Sequence, residues 1–266
     1  MKKDDTSQVL EYAKEIISLE ATAVKTVAEH IDQSFIDAVD LILNMPPEGR
    51  VICFGMGKAG LIATKISATL ASTATPSFFL HPAEAIHGDL GRFTKYDITL
   101  AFSKSGETEE ILRVLPFIKR VGAKVIAVTA NPNSNLSEHA DLTLNIGDTE
   151  EVGPLRLAPT TSTTAMLALG DALAMTVLSK RDFTPEQFAL NHPGGSLGRS
   201  LMKANELMRT GEEHCIVNET EITKTVIHKI TITPRRPGAA SIVNASGELV
   251  GVFTDGNLRR CLDTGS

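Results

Sequence analysis

Five short apolar runs, each handed over to a stretch with helical spacing, constrain the fold of this chain more than any other feature. Arg50–Gly55, Ser77–Leu80, Asp97–Phe102, Lys124–Thr129 and Asp141–Asn145 are of strand length and rich in β-branched and aromatic residues. Strands that alternate with helices in this way pair in parallel and are covered on both faces, which predicts an α/β protein, a three-layer α/β/α sandwich on a five-stranded parallel sheet. Ligands of such sheets bind at the carboxyl ends of the strands. That end is expected to hold Gly55–Gly60, His81, Ser103–Thr108, Asn131 and Gly147–Glu151. Two helical patterns, Val9–His30 and Phe35–Leu43, precede the first strand. They serve either as packing surface for a partner subunit or as cover for their own domain.

With 266 residues the chain has room for one large domain and a small one. A net charge of −6 gives no general attraction for nucleic acid or an anionic membrane. No apolar stretch is expected to span a bilayer, and the first residues lack the apolar core of a signal peptide. The three cysteines, Cys53, Cys215 and Cys261, are few and far apart, as reduced thiols of the cytoplasm would be. The expected compartment is the cytoplasm, with no membrane and no nucleic acid as partner.

The third run ends in Ser103-Lys-Ser-Gly-Glu-Thr108 and enters a helical pattern at Glu109-Glu110. Free amides at a helix N-terminus, with the helix dipole behind them, cradle an anion. Three hydroxyls around a glycine suit a ligand that carries both a phosphate and alcohols, although each hydroxyl is also a good helix cap. The first run leads into Gly55-Met-Gly-Lys-Ala-Gly60, formally a dinucleotide fingerprint. No acidic residue ends the second strand, where a ribose would need one, and Lys58 in the loop suits a sugar phosphate equally well. Two histidines, His81 and His87, with Glu84 and Asp89 between and beside them, are more titratable groups than a plain connector needs. Their spacing matches no recognised chelating pattern, so substrate contact ranks above metal there. Glu150-Glu151 and the run Leu157-Ala-Pro-Thr160-Thr-Ser162 open a second hydroxyl-rich helix. His192 sits before a Pro193-Gly-Gly turn, a fixed position suited to proton transfer. Near Ser200 the character changes, and residues 201–266 read as a small α/β module in which two strands flank Ser246-Gly247.

Together, Gly55–Gly60, His81-Pro-Ala-Glu-Ala-Ile-His-Gly-Asp-Leu90, Ser103–Thr108, Leu157–Ser162 and His192-Pro-Gly-Gly-Ser-Leu-Gly198 make the chain resemble the arabinose 5-phosphate isomerases of the sugar isomerase (SIS) family. The resemblance covers nearly the whole chain, residues 1–200 as the SIS domain and 201–266 as the first half of a paired CBS module. It implies a flavodoxin-like fold, a homotetramer, and interconversion of ribulose 5-phosphate and arabinose 5-phosphate, the first step towards the Kdo sugar of lipopolysaccharide or certain capsules. By the same resemblance Lys58, Glu110, Glu151 and His192 would be catalytic. Gly57, Thr75, His81, His87, Ser103, Ser105, Thr108, Thr160 and Ser162 would meet the substrate. Zinc effects are tied to the His81 stretch, with His81 the residue that would take an inhibitory zinc.

Moving a carbonyl between C1 and C2 through an enediol needs a base, a proton shuttle and a group that steadies the oxyanion, and no cofactor. The glutamates would supply the base and its partner, His192 would open the sugar ring or shuttle the proton, and Lys58 would hold phosphate or oxyanion. The alternatives are a sugar-phosphate sensor without chemistry and an isomerase of another phosphosugar.

Overall fold

A computed structural model of the chain describes residues 3–192 and 202–264. Two compact units emerge, residues 1–198 and 199–266, with the division beside the expected boundary. In the first unit the five apolar runs form β1 (Val51–Gly55), β2 (Ser77–Phe79), β3 (Ile98–Phe102), β4 (Lys124–Thr129) and β5 (Leu142–Asn145). The sheet order is β2-β1-β3-β4-β5, and every pair is parallel.

Strand periodicity assigns alternate side chains to two cores. Cys53, Leu100, Phe102, Ile126 and Val128 face one cluster with Ile42, Ile66 and Leu169. Those come from α2 (Gln33–Leu43), α3 (Gly57–Ser72) and α7 (Thr161–Ser179). Ile52, Phe54, Ala101, Val125 and Ala127 face the other cluster, with Ala85, Ile111, Leu115 and Leu136. These belong to α4 (Pro82–Ala85), α5 (Glu109–Val121) and α6 (Asn135–His139). The result is the expected three-layer sandwich. The long first helix, α1 (Lys3–Glu29), lies on α7 and buries Ala23 and Val27. Among the described residues α7 alone is long and apolar enough to cross a membrane, a departure from the expectation that no stretch would be. It is a core helix instead, packed against α1, α2 and α3.

Two glycines of the Gly55–Gly60 loop are fixed by packing. A Cβ on Gly60 would stand 2.6 Å from the Gly55 carbonyl oxygen, and one on Gly55 would stand 2.8 Å from the Gly60 amide. These two glycines let β1 and α3 touch backbone to backbone, and only Gly57, with φ +55° and open space around it, faces outward. Cys53 is fully buried in β1, and burial, partly offset by a contact with Ser77, pushes its thiol up to about 12.

The second unit is a three-stranded sheet, β6 (Ile216–Asn218), β7 (Ala239–Val243) and β8 (Leu249–Thr254), in that order. β7 and β8 form the antiparallel hairpin expected around Ser246-Gly247. The β-branched stretch from Thr223 to Ile232 is a helix, because Val226 and Ile230, one turn apart, both bury against Cys215 and Val217. Asn257 Oδ1 accepts from the Thr254 amide at 2.9 Å and from its hydroxyl at 2.7 Å, closing the turn from β8 into the last helix.

Candidate active site

The carboxyl edge of the sheet gathers three helix N-termini, those of α3, α5 and α7. The first two have no side-chain cap, so their leading amides are open to a ligand. In the cradle before α5, Ser103 and Thr108 share a hydrogen bond of 2.8 Å between their hydroxyls, and Ser103 Oγ also accepts from the Gly106 amide at 3.1 Å. Ser105 Oγ accepts from the Glu107 amide at 3.1 Å. The hydroxyls therefore shape the turn and leave the helix end uncapped.

This loop is clamped from outside. The Lys104 carbonyl accepts from the Ala130 amide and the Thr129 hydroxyl, each at 3.0 Å, and the Gly106 carbonyl accepts from the Leu136 amide at 3.0 Å. Glu107 accepts from the Asn135 side chain and amide at 2.7 and 2.9 Å, which holds its carboxyl below the usual range. Gly106 adopts φ +69°, and a Cβ there would collide with Ser134 Oγ at 2.0 Å. Any other residue at 106 would push the loop off α6.

The α7 N-terminus, expected to help bind the ligand, already holds an anion. Glu151, 7% exposed, lies across it. Its Oε1 accepts from Lys104 Nζ at 2.9 Å and from the Ser162 hydroxyl. Its Oε2 accepts from the Thr160 amide at 2.8 Å, the Thr160 hydroxyl at 3.3 Å and the Ser162 amide at 3.3 Å. Burial opposes its ionisation, but the donors from Ser162, Thr160 and Lys104 win and bring the carboxyl down to about 2. Thr160 and Ser162 thus donate to Glu151.

Between α3, the cradle and α7 lies a cavity of about 540 Å³ lined by Gly57, Lys58, Ser103, Lys104, Ser105, Thr108 and Ser162, with Met56, Phe102 and Met166 as its apolar part. Lys58 is exposed at the second position of α3, and Glu110 is half-buried at the second position of α5. Neither forms a side-chain hydrogen bond or ion pair among the described residues. Lys104 is the site residue that the sequence left without a role, although it stands between the two serines.

The remaining candidates lie apart. His81, at the end of β2, caps α4, its Nδ1 accepting from the Ala83 amide at 3.3 Å, and its ring meets Phe79 edge-on at 6.3 Å. His87 is exposed beyond α4, and among the described residues no group of three His, Cys, Asp or Glu side chains is placed to hold a metal ion. Thr75 precedes β2, at the amino end of the strands, buried and with no partner for its hydroxyl among the described residues. His192 ends α8 (Pro185–Asn191), stacked on Phe188 at 4.0 Å, with Nδ1 against the Phe188 carbonyl at 2.9 Å. The neighbouring Asn191 bonds to Ser72 at the far end of α3. Within one chain the fold does not bring Thr75 or His192 to the cradle, because both belong to segments at the amino edge of the sheet. The Pro193–Ser196 turn lies outside the described residues.

Open helix N-termini, paired hydroxyls and two lysines at the carboxyl edge of a parallel sheet define an α/β protein suited to a phosphorylated polyol. The SIS domain pattern matches residues 45–176. Arabinose 5-phosphate isomerase KdsD of Pseudomonas aeruginosa is 47% identical over 255 residues, 95% of this chain and 77% of that protein. KdsD of Escherichia coli K12 is 42% identical over 253 residues, 95% and 76% of the two chains. An Escherichia coli CFT073 protein solved in complex with arabinose 5-phosphate superposes with a TM-score of 0.67 at 38% identity, covering 73% of this chain and all of that one. The chain belongs to the SIS family of sugar isomerases.

Proposed function

We propose that this chain is an aldose–ketose isomerase that interconverts D-ribulose 5-phosphate and D-arabinose 5-phosphate through an enediol. The observation that carries this reading is the cavity in which Lys58, the Ser103–Thr108 cradle and the α7 end that holds Glu151 meet, in a chain 47% identical to an isomerase of that name. The phosphate sits on the open end of α5, where amides and the helix dipole favour it. Glu151 is the proton acceptor in this reading, and Glu110 is its partner across the enediol. Lys58 steadies the developing oxyanion.

Self-association as a homotetramer accompanies this reading. On α1, Val9, Leu10, Ile17 and Leu19 are 57, 58, 66 and 48% exposed, more apolar surface than a solitary helix keeps in water. Association is also the route by which His192, remote from its own cradle, meets one. The cytoplasm is the compartment that supplies such a substrate. Residues 201–266 are the first half of a paired CBS module, a reading supported by the β6–β8 sheet and by the Thr254–Asn257 turn.

Proton NMR of the chain with ribulose 5-phosphate in D₂O tests the reaction. Arabinose 5-phosphate carrying deuterium at C2 is the expected product. Recovery of unchanged ribulose 5-phosphate would leave a binding protein.

A further inference from the structure

The Lys104 side chain occupies two sites at once. Its ammonium is 2.9 Å from Glu151 Oε1, and the same side chain lines the cavity with Lys58, Ser103, Ser105 and Thr108. The two partners of this ion pair are unequal. Glu151, with 6% of its side chain exposed, keeps four other donors, the amides and hydroxyls of Thr160 and Ser162 at the start of α7. The Lys104 side chain is 37% exposed on a flexible four-carbon stem. What fastens its loop is the backbone carbonyl, bonded to Ala130 and Thr129, and not the ammonium. Departure of the ammonium therefore leaves Glu151 hydrogen-bonded and the cradle in place. A phosphate in the cradle carries up to two charges and three acceptor oxygens, against one charge on Glu151 that is already well served.

We propose that Lys104 is an exchangeable counter-ion, which neutralises Glu151 while the cavity is empty and turns to the phosphate group of a bound sugar phosphate, leaving Glu151 at the start of α7 without its lysine partner. The inference rests on the isomerase reading of the same site and gives it an order of events. A carboxylate that loses a cation holds a proton more readily. Binding of the phosphate thus strengthens the base only when a substrate is present. Glu151 itself lines the groove beneath α1 together with Glu15, Asp148, Glu150 and Arg156, whereas Lys58 lines the cavity that Lys104 shares.

Calorimetric titration of the full chain with inorganic phosphate at neutral pH tests the exchange, because Glu151 and phosphate must compete for Lys104. Lys104→Met is expected to weaken phosphate binding about tenfold or more, the order of a lost charge-assisted hydrogen bond. Lys104→Arg is expected to stay within a few-fold of the parent. Glu151→Gln is expected to tighten phosphate binding several-fold, and most of that gain must vanish in the Lys104→Met background. Equal affinity of the parent and Lys104→Met, or a Glu151→Gln gain that ignores residue 104, would overturn the proposal. Should Glu151→Gln fail to fold, carboxyl-carbon NMR of the parent replaces it: saturating phosphate must shift the Glu151 resonance, and an unmoved resonance refutes the exchange. Phosphate titration reads Lys104 whether or not the chain turns over a pentose phosphate, so failure of the isomerase reading gives a different result.

Discussion

Glu151→Gln keeps the volume of the side chain but replaces one acceptor oxygen with an amide nitrogen, which accepts from none of Lys104, Thr160 and Ser162. Steady-state assays should show kcat below roughly a tenth of the parent value, the loss expected of a positioned acid–base group. The same variant has a stability signature. The folded carboxyl is lowered to about 2 from its ordinary 4.5, so its contribution is complete above about 4.5 and lost as the pH falls towards 2. Acid unfolding followed by circular dichroism should therefore be less steep for Glu151→Gln across that window; an unchanged slope would mean that the donors do not hold the carboxylate. Lys58 and Ser105 divide differently. Lys58→Met should abolish turnover, whereas Ser105→Ala should chiefly raise KM, because a hydroxyl that shapes the phosphate cradle acts equally on ground and transition states. A Ser105→Ala chain with normal KM and reduced kcat would remove the cradle from phosphate binding.

Among the elements, the contact of β1 with α3 sets where Lys58 stands. The backbone of Gly55 leaves no room for a methyl group on Gly60, since a Cβ there would stand 2.6 Å from the Gly55 oxygen. Gly60→Ala should cost about 1–3 kcal/mol by overpacking and lower Tm by several degrees. Thermal unfolding measures the stability loss, and the parallel assay should show KM for the sugar phosphate rising as α3 moves away from the sheet. Gly57→Ala is the control for strain without crowding: it meets nothing within 4 Å, but it must adopt φ +55°. The first turn of α5 and the first turn of α7 are equivalent as sequence, each a hydroxyl-rich approach to an apolar helix. They differ because Glu151, nine residues before Thr160, folds back on α7, while among the described residues no side chain caps α5.

At the scale of the whole molecule, α1 carries the apolar face that the proposed self-association would cover. It buries Ala23 and Val27 and exposes Leu10 at 58% and Ile17 at 66%. If α1 carries the proposed self-association, a Leu10→Glu, Ile17→Glu double variant should give a smaller mass than the parent by light scattering, without unfolding the sandwich. Turnover should fall with dissociation if His192 serves a neighbouring cradle. A smaller species with full activity would place His192 outside the reaction, and an unchanged mass would place the interface elsewhere.

The five strands, their parallel pairing, the burial alternation along β1, β3 and β4, and the position of the cradle at the carboxyl edge were all legible in the residue order, because periodicity and helix starts are local properties. The same order placed Lys58, Glu110 and Glu151 near that edge, while the catalytic roles expected of them and of His192 came from the resemblance to the SIS isomerases. Other assignments had to wait for the folded chain: Gly55 and Gly60 serve packing, Thr160 and Ser162 serve Glu151, Thr75 and His192 fall at the opposite edge, and Lys104, 47 residues from Glu151, is its counter-ion. A hydroxyl or an ammonium has the same donors in any sequence; which acceptor it meets is set by strand order and by the loops that return to the sheet, and neither is written in the spacing of the residues themselves.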